Sequence, residues 1–191
     1  MTVHENLISS EKKEENTTFS ELVFDTAGFI FMFLAVFFLI LTFFVRQVNV
    51  DGPSMNDTLQ DKDRLAVWTF MYEPQPKDIV IITHGANLDK MIIKRVIAVG
   101  GQKLDINYDK NEVSVDGVLL REDYIKGRTV RPSMSVKKTN LVIPDGYVFV
   151  MGDNRENSTD SRSVLVDLVP VQNIIGKAFF RFTPFDKFGT L

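Results

Sequence analysis

The chain has 191 residues, a formal net charge of −3, no cysteine and two histidines, His4 and His84. That length supports one domain with a real core plus a small appendage. The acidic balance argues against a nucleic-acid surface, and the lack of cysteine removes disulfides, thiolate metal sites and a cysteine nucleophile.

Residues 1–26 are mostly polar, acidic on balance and without hydrophobic periodicity, which predicts a disordered tail. From Ala27 to Val45 the chain reads "AGFIFMFLAVFFLILTFFV", uncharged, with Thr42 as its one clearly polar member. Roughly 19 residues at about 1.5 Å each span about 28 Å, close to the hydrocarbon thickness of a bilayer. A cleaved secretory signal would begin with basic residues and leave through small ones. Here acids precede the run (Glu11, Glu14, Glu15, Glu21, Asp25) and Val45-Arg46-Gln47 follows it, so a permanent anchor is expected. Lys12 and Lys13 before the run against Arg46 after it lean only slightly towards a cytoplasmic N-terminus. Residues 46–191 then form the domain outside the membrane.

That domain reads as short strands and turns. "RLAVWTF" (64–70), "DIVII" (78–82), "MIIKRVIAV" (91–99) and "YVFVM" (147–151) are β-branched and aromatic runs of strand length. Asp116-Gly117 between "VSV" and "VLL" signals a two-residue hairpin, and Pro144-Asp145-Gly146 a turn. "VPVQNII" (169–175) is the one stretch outside the anchor that predicts a short helix, stopped by Gly176. In "VWTFMYEP" (67–74), alternation assigns half of Trp68, Phe70, Met71 and Tyr72 to the core and leaves the remainder for a lipid interface. The sum is an all-β domain, mostly antiparallel.

Four places could carry chemistry. Ser54 sits in "GPSMNDTL" (52–59) just after the anchor, but a serine in a Gly-Pro turn is usually only a turn residue, and Pro132-Ser133-Met134 repeats the tripeptide. Lys94 interrupts an apolar run. It is either a gatekeeper on an exposed strand edge or a buried amine whose pKa falls far enough to act as a base. The loop "GDNRENSTDSR" (152–162) packs acids, arginines and hydroxyls densely after a hydrophobic strand, and Asp153 with Arg155 or Arg95, or Asp160 with Arg162, could form bracing ion pairs. Gly100-Gly101 permits close backbone approach and is weak evidence for a phosphate cradle. His84, in "THGAN", reads as a loop residue.

In order, "GPSMNDTL", "KDRLAV" (62–67), "IIKRVIAVGG" (92–101) and "GDNRENSTDSR" resemble the blocks of bacterial type I signal peptidases, membrane-bound serine proteases that remove signal peptides from exported proteins. The closing "GKAFFRFTPFDKFG" is similar to that family's last strand, and the short chain with one anchor resembles the Gram-positive form. The resemblance implies two antiparallel sheets in a coiled, barrel-like arrangement, with Ser54 as nucleophile and Lys94 as general base. Ser158 would hydrogen-bond the Lys94 amine. Asp160 with Arg162, and Asp153 with Arg95, would brace the loop against the base strand. Gly52, Met55, Leu59, Ile92 and Ile93 would contact substrate, with Met55 in the pocket floor. The implied partners are preprotein signal peptides and the lipid bilayer, for a single-pass monomer with its domain on the outer face of the cytoplasmic membrane. No metal or organic cofactor is implied.

The chain departs from the family where Pro usually replaces Asp57 and Gly100, where Gly usually stands near Leu165, and at Gly52, where some members carry a serine. These departures leave room for a non-catalytic relative acting as a chaperone or scaffold in surface-protein or pilus assembly. A cytosolic Ser-Lys autoprotease of the repressor type shares the dyad logic but would not carry the apolar span.

Overall fold

A computed structural model describes residues 3–132, 134, 135 and 140–191, with side chains from residue 19 onward. Ser133, the duplicate of the Pro-Ser-Met word, lies outside the described residues. The chain divides into two compact units, Met1–Phe43 and Phe44–Leu191.

The first unit belongs to one helix, α1 (Val3–Phe44). Its stretch Phe19–Phe44 is long and apolar enough to cross a membrane. The expectation of a disordered tail over 1–26 is not met from Val3 onward. That stretch lacks Pro and Gly and carries several helix-favouring Glu residues, so nothing in it stops a helix. At the other end Val45, expected to close the apolar run, opens the first strand.

The second unit holds two antiparallel sheets. The larger comprises β1 (Val45–Asn49), β2 (Arg64–Trp68), β3 (Ile79–Ile82), β4 (Ile92–Val99), β9 (Tyr147–Met151), β10 (Val169–Pro170), β11 (Ile174–Thr183) and β12 (Gly189–Thr190). Its order is β1-β2-β11-β3-β4-β9-β10, with β12 on β11. The smaller runs β7-β6-β5-β8, from β5 (Lys103–Asn107), β6 (Glu112–Val115), β7 (Val118–Leu119) and β8 (Asn140–Val142).

The two sheets differ in how sequence makes them. In β5 exposed and buried residues alternate, as a sheet with one wet face requires. In β4 the six residues Ile93–Ala98 are buried in succession, because β4 lies inside the large sheet with material on both faces. The expected Asp116-Gly117 hairpin joins β6 to β7, with φ of 54° and 80° at the two turn residues. The helix expected over 169–175 is not there. Val169-Pro170 is a strand, Val171–Asn173 one turn of 3-10 helix, and Ile174 opens the ten-residue β11. Its apolar, β-branched residues fit a pleated surface better than a helix. Gly176, read as a helix stop, instead lets β11 lie against β2: a Cβ there would sit 2.0 Å from the Trp68 carbonyl oxygen.

The core falls into three clusters. One, of Val50, Met55, Leu59, Leu65, Ile79 and Ile93 among others, lies under the Ser54 turn. The second joins Ile97, Leu104, Ile143 and Phe149, and ties the small sheet to the large one. The third gathers Val80, Val96, Val150 and Val166.

Candidate active site

Lys94 lies on β4 opposite Val80 of β3 and is 3% exposed. A gatekeeper belongs on an outer strand, whereas β4 runs between β3 and β9, so the edge reading is overturned. The pairing with β9 begins at Arg95 opposite Met151, which leaves residues 92–94 without a strand partner on that side among the described residues. The Lys94 Nζ donates to Ser54 Oγ at 2.7 Å and to the Ile93 carbonyl oxygen at 2.9 Å. Burial draws its pKa down from 10.5 to about 8, against the upward pull of the Asp160 and Asp153 carboxylates and with help from Arg162 and Lys90. At pH 7 roughly one such amine in ten is uncharged. In that form the hydroxyl can donate to the nitrogen lone pair, the geometry a base needs.

Ser54 is presented by a tight turn. Gly52 has φ of 89°, a conformation that strains any side chain, and its N–H donates to Asp61 Oδ1 at 2.9 Å. A serine at that position would therefore distort the turn. No described group accepts from the Ser54 backbone N–H, which stays available to an incoming oxygen. The turn is clasped from the loop after β9: the Asn154 backbone N–H donates to the Ser54 carbonyl oxygen and its Nδ2 to that of Pro53, each at 3.1 Å. Gly152 makes this approach possible, since a Cβ there would come within 2.5 Å of the Ser54 carbonyl oxygen and 2.2 Å of Ser158 Oγ.

Buried ion pairs hold the loop. Arg95, on β4 beside Lys94, grips Asp153 with both Nε and Nη2, at 2.8 and 2.6 Å, and Thr58 Oγ1 donates to the same carboxylate at 2.6 Å. Asp160 takes a fork from Arg162, Nε and Nη2 each at 2.8 Å, and accepts from the Gly152 N–H at 2.9 Å. Burial alone would raise the Asp160 carboxyl. The bonds and charge of Arg162, with the Gly152 N–H and the Ser158 hydroxyl, outweigh it and hold the pKa below the usual carboxylate value. The two pairs act differently. Arg95–Asp153 ties the loop to β4, whereas Arg162 reaches from its own loop to the Val130 carbonyl oxygen at 3.0 Å.

Two expectations need correction. Ser158 makes no hydrogen bond to the Lys94 amine; its buried Oγ has no partner of ordinary geometry and lies on the Asp160 side, where it favours the charged carboxylate. Leu59 is not in the groove lining: it is fully buried among Met55, Leu65 and Ile79, because the one-turn bond from its N–H to the Met55 carbonyl oxygen rolls it into the core.

Gly52, Met55, Ile92 and Ile93 do line a groove of about 510 Å³, bounded by residues 48–55 on one wall and 88, 90–94 on the other, with Asn157, Thr159 and Leu165 completing it. Asp51 and Lys90 pair across it at 2.9 Å. The family's usual Pro positions are also accounted for: Asp57 pairs with Lys126 at 2.9 Å, and a Cβ on Gly100 would press on Asp145 Cα at 3.0 Å. Among the described residues no His, Asp or Glu cluster is arranged to hold a metal.

Gly152 and Asn154 have no individual role in the sequence reading, and Arg155, offered there as one of two partners for Asp153, pairs elsewhere. Arg155 is fully buried, paired with Glu122 and donating to Thr129 Oγ1 at 2.8 Å. The signal for all three was their crowding into "GDNR" directly after a buried strand.

A β-sheet domain whose apolar groove ends on a serine hydroxyl in contact with a buried amine is the layout of a serine hydrolase. The chain belongs to the signal peptidase family, peptidase S26, whose model matches residues 23–183. It is 39% identical over 171 residues to a probable signal peptidase I-1 of Synechocystis sp., covering 84% of this chain and 83% of that one. It is 35% identical over 169 residues to signal peptidase IB of Staphylococcus aureus, covering 80% and 85%. A crystal structure of a signal peptidase I from Enterococcus faecalis aligns at 25% identity with a TM-score of 0.45, over 56% of this chain and 97% of that one. The protein is accordingly a serine peptidase of the class that removes signal peptides.

Proposed function

We propose that Ser54 and Lys94 form the catalytic dyad of a membrane-anchored endopeptidase that cuts after small-x-small, Ala-x-Ala-like sites. The observation that carries this is the 2.7 Å contact between the Ser54 hydroxyl and an amine that is 3% exposed. The neutral Lys94 amine takes the hydroxyl proton as Oγ attacks the scissile carbonyl carbon, and the Ser54 N–H receives the oxyanion. Lys94 then passes the proton to the leaving nitrogen as the C–N bond breaks, giving an acyl ester on Ser54. Water attacks that ester, Lys94 removes its proton, and the returning proton restores the serine.

Substrate would enter as an added strand along residues 92–94, whose outer edge lacks a partner, facing the wall at 48–54. Met55 and Ile93 line the groove, and shallow pockets over them would favour small side chains by excluding larger ones. Phe19–Phe44 serves as the single-pass anchor, with the N-terminus cytoplasmic and the catalytic domain on the outer face. Ser54 follows the anchor by ten residues, from Phe44 to Ser54, so its reach from the bilayer is at most about 35 Å. Trp68 and Phe70, 38% and 46% exposed and packed against Phe44, would rest in the lipid interface. The chain would act as a monomer.

The test is to incubate the purified full-length protein and its Lys94→Ala variant with a preprotein and sequence the new N-terminus. Wild type should cut once, after a small-x-small site, and Lys94→Ala should cut at least about 10²-fold more slowly. Ser54→Ala should abolish cleavage and Ser133→Ala leave it intact; the reverse pattern would falsify the dyad.

A further inference from the structure

One side of the groove is built by contacts that the dyad does not need. The loop after β3 is tied to the segment after the 152–162 loop: Asn87 donates through its backbone N–H to the Leu165 carbonyl oxygen at 2.9 Å and through Nδ2 to that of Val164 at 2.9 Å. Ala86 N–H adds a bond to the Val166 carbonyl oxygen at 3.1 Å. Gly85 sets the closeness, since a Cβ there would meet the Leu165 carbonyl oxygen and Val166 Cα at 2.8 Å each. The clasp turns Leu88 and Leu165, both half-buried, into the groove lining beside Met91, which is 50% exposed. Leu88 and Ile92 rest on the buried cluster of Val80, Ile82, Val96 and Val166, so the wall has a rigid backing.

We infer that Leu88 and Leu165 form a specificity-determining wall that accepts one large aliphatic side chain of the substrate a few residues from the bond that is cut. The inference rests on the proposed dyad. Ile92 is two residues from Lys94, about 7 Å along the strand at roughly 3.3 Å per residue. An extended substrate therefore meets this wall about two to four residues from Ser54. One continuous groove lining holds the dyad, Leu88 and Leu165; its exposed charges, Asp51 and Lys90, are paired with each other, and Leu88 rests on the apolar cluster. The chemistry selected is aliphatic. A small side chain at that position would leave Leu88, Leu165 and Met91 in water, whereas a leucine would cover them.

The experiment uses the full-length protein and precursor peptides with Ala held at the first and third positions before the cut. Every other position, from five before to three after, is varied singly between Ala and Leu. Wild type should prefer Leu over Ala at one position by about five- to tenfold in kcat/KM. Leu165→Ala and Leu88→Ala should each bring that ratio below about twofold, and Leu165→Phe should turn it towards Ala by filling the space. Because each variant is judged by a ratio of two substrates, a general loss of activity does not mimic the effect. Thermal unfolding checks the fold, and Leu165→Val replaces any variant that fails to fold. A wild type that cuts these peptides with a flat Leu/Ala profile overturns the wall and leaves the dyad standing. So does a preference untouched by either alanine variant. A wild type that cuts none of them overturns the dyad and the wall together.

Discussion

The large and small sheets use burial in opposite ways. The small sheet buries one face of alternating strands, β5 and β6, and leaves Val118, Leu119 and Val142 in solvent, at 67%, 58% and 61% exposure. Around β4 and the loop that follows β9, burial instead takes in charge: Lys94, Arg95, Asp153, Arg155, Asp160 and Arg162 are all at or below 8% exposure. Five of the six are ion-paired. Among the described residues Lys94 has no carboxylate partner and bonds only to a hydroxyl and a carbonyl oxygen. The contrast teaches that the paired charges hold a scaffold, while the unpaired one keeps a depressed pKa. A sheet with only ordinary alternation has no means to do either.

The sharpest way to break the comparison is to remove the unpaired charge. Lys94→Ala should lower kcat/KM by roughly 10²–10⁴-fold, the usual contribution of a general base, in a precursor-cleavage assay. Next in size is the scaffold: Asp153→Ala strands Arg95 in the interior and should cost about 3–5 kcal/mol in chemical denaturation. The third test is pH. Cleavage should rise about tenfold per unit below pH 8 and level off above it, because only the uncharged Lys94 accepts a proton. The same depressed pKa has a stability consequence of fixed sign. Between pH about 8 and 10.5 the unfolded chain binds the Lys94 proton and the folded one does not, so wild-type stability should climb relative to Lys94→Met over that window. Denaturation of both proteins at pH 7.5 and 10 reads this directly. Smallest, in the other sheet, Leu119→Thr should change stability by no more than about 0.5 kcal/mol and leave cleavage unaltered.

The elements that could be read in advance are those whose cause is local. The strands over 64–68, 79–82, 92–99 and 147–151 and the Asp116-Gly117 hairpin follow from side-chain shape and turn chemistry within a few residues. The short helix over 169–175 failed because its real partners, β3 and β2, are distant in sequence and draw Ile174 onward into β11. The site divides in the same way. Ser54, Lys94, Arg95 and Asp153 could be nominated from their blocks, but the role given to Ser158 and the exposure given to Leu59 depended on side-chain directions that only packing sets.

By itself the sequence determined an apolar segment of membrane length, a β-rich remainder, and a small set of polar residues placed against their hydrophobic surroundings, because periodicity and composition are local properties. Only the tertiary structure decided whether Lys94 lay on an edge or inside. Its pKa is a property of everything packed around it, and that surrounding is assembled from β3, the Ser54 turn and a loop some sixty residues downstream.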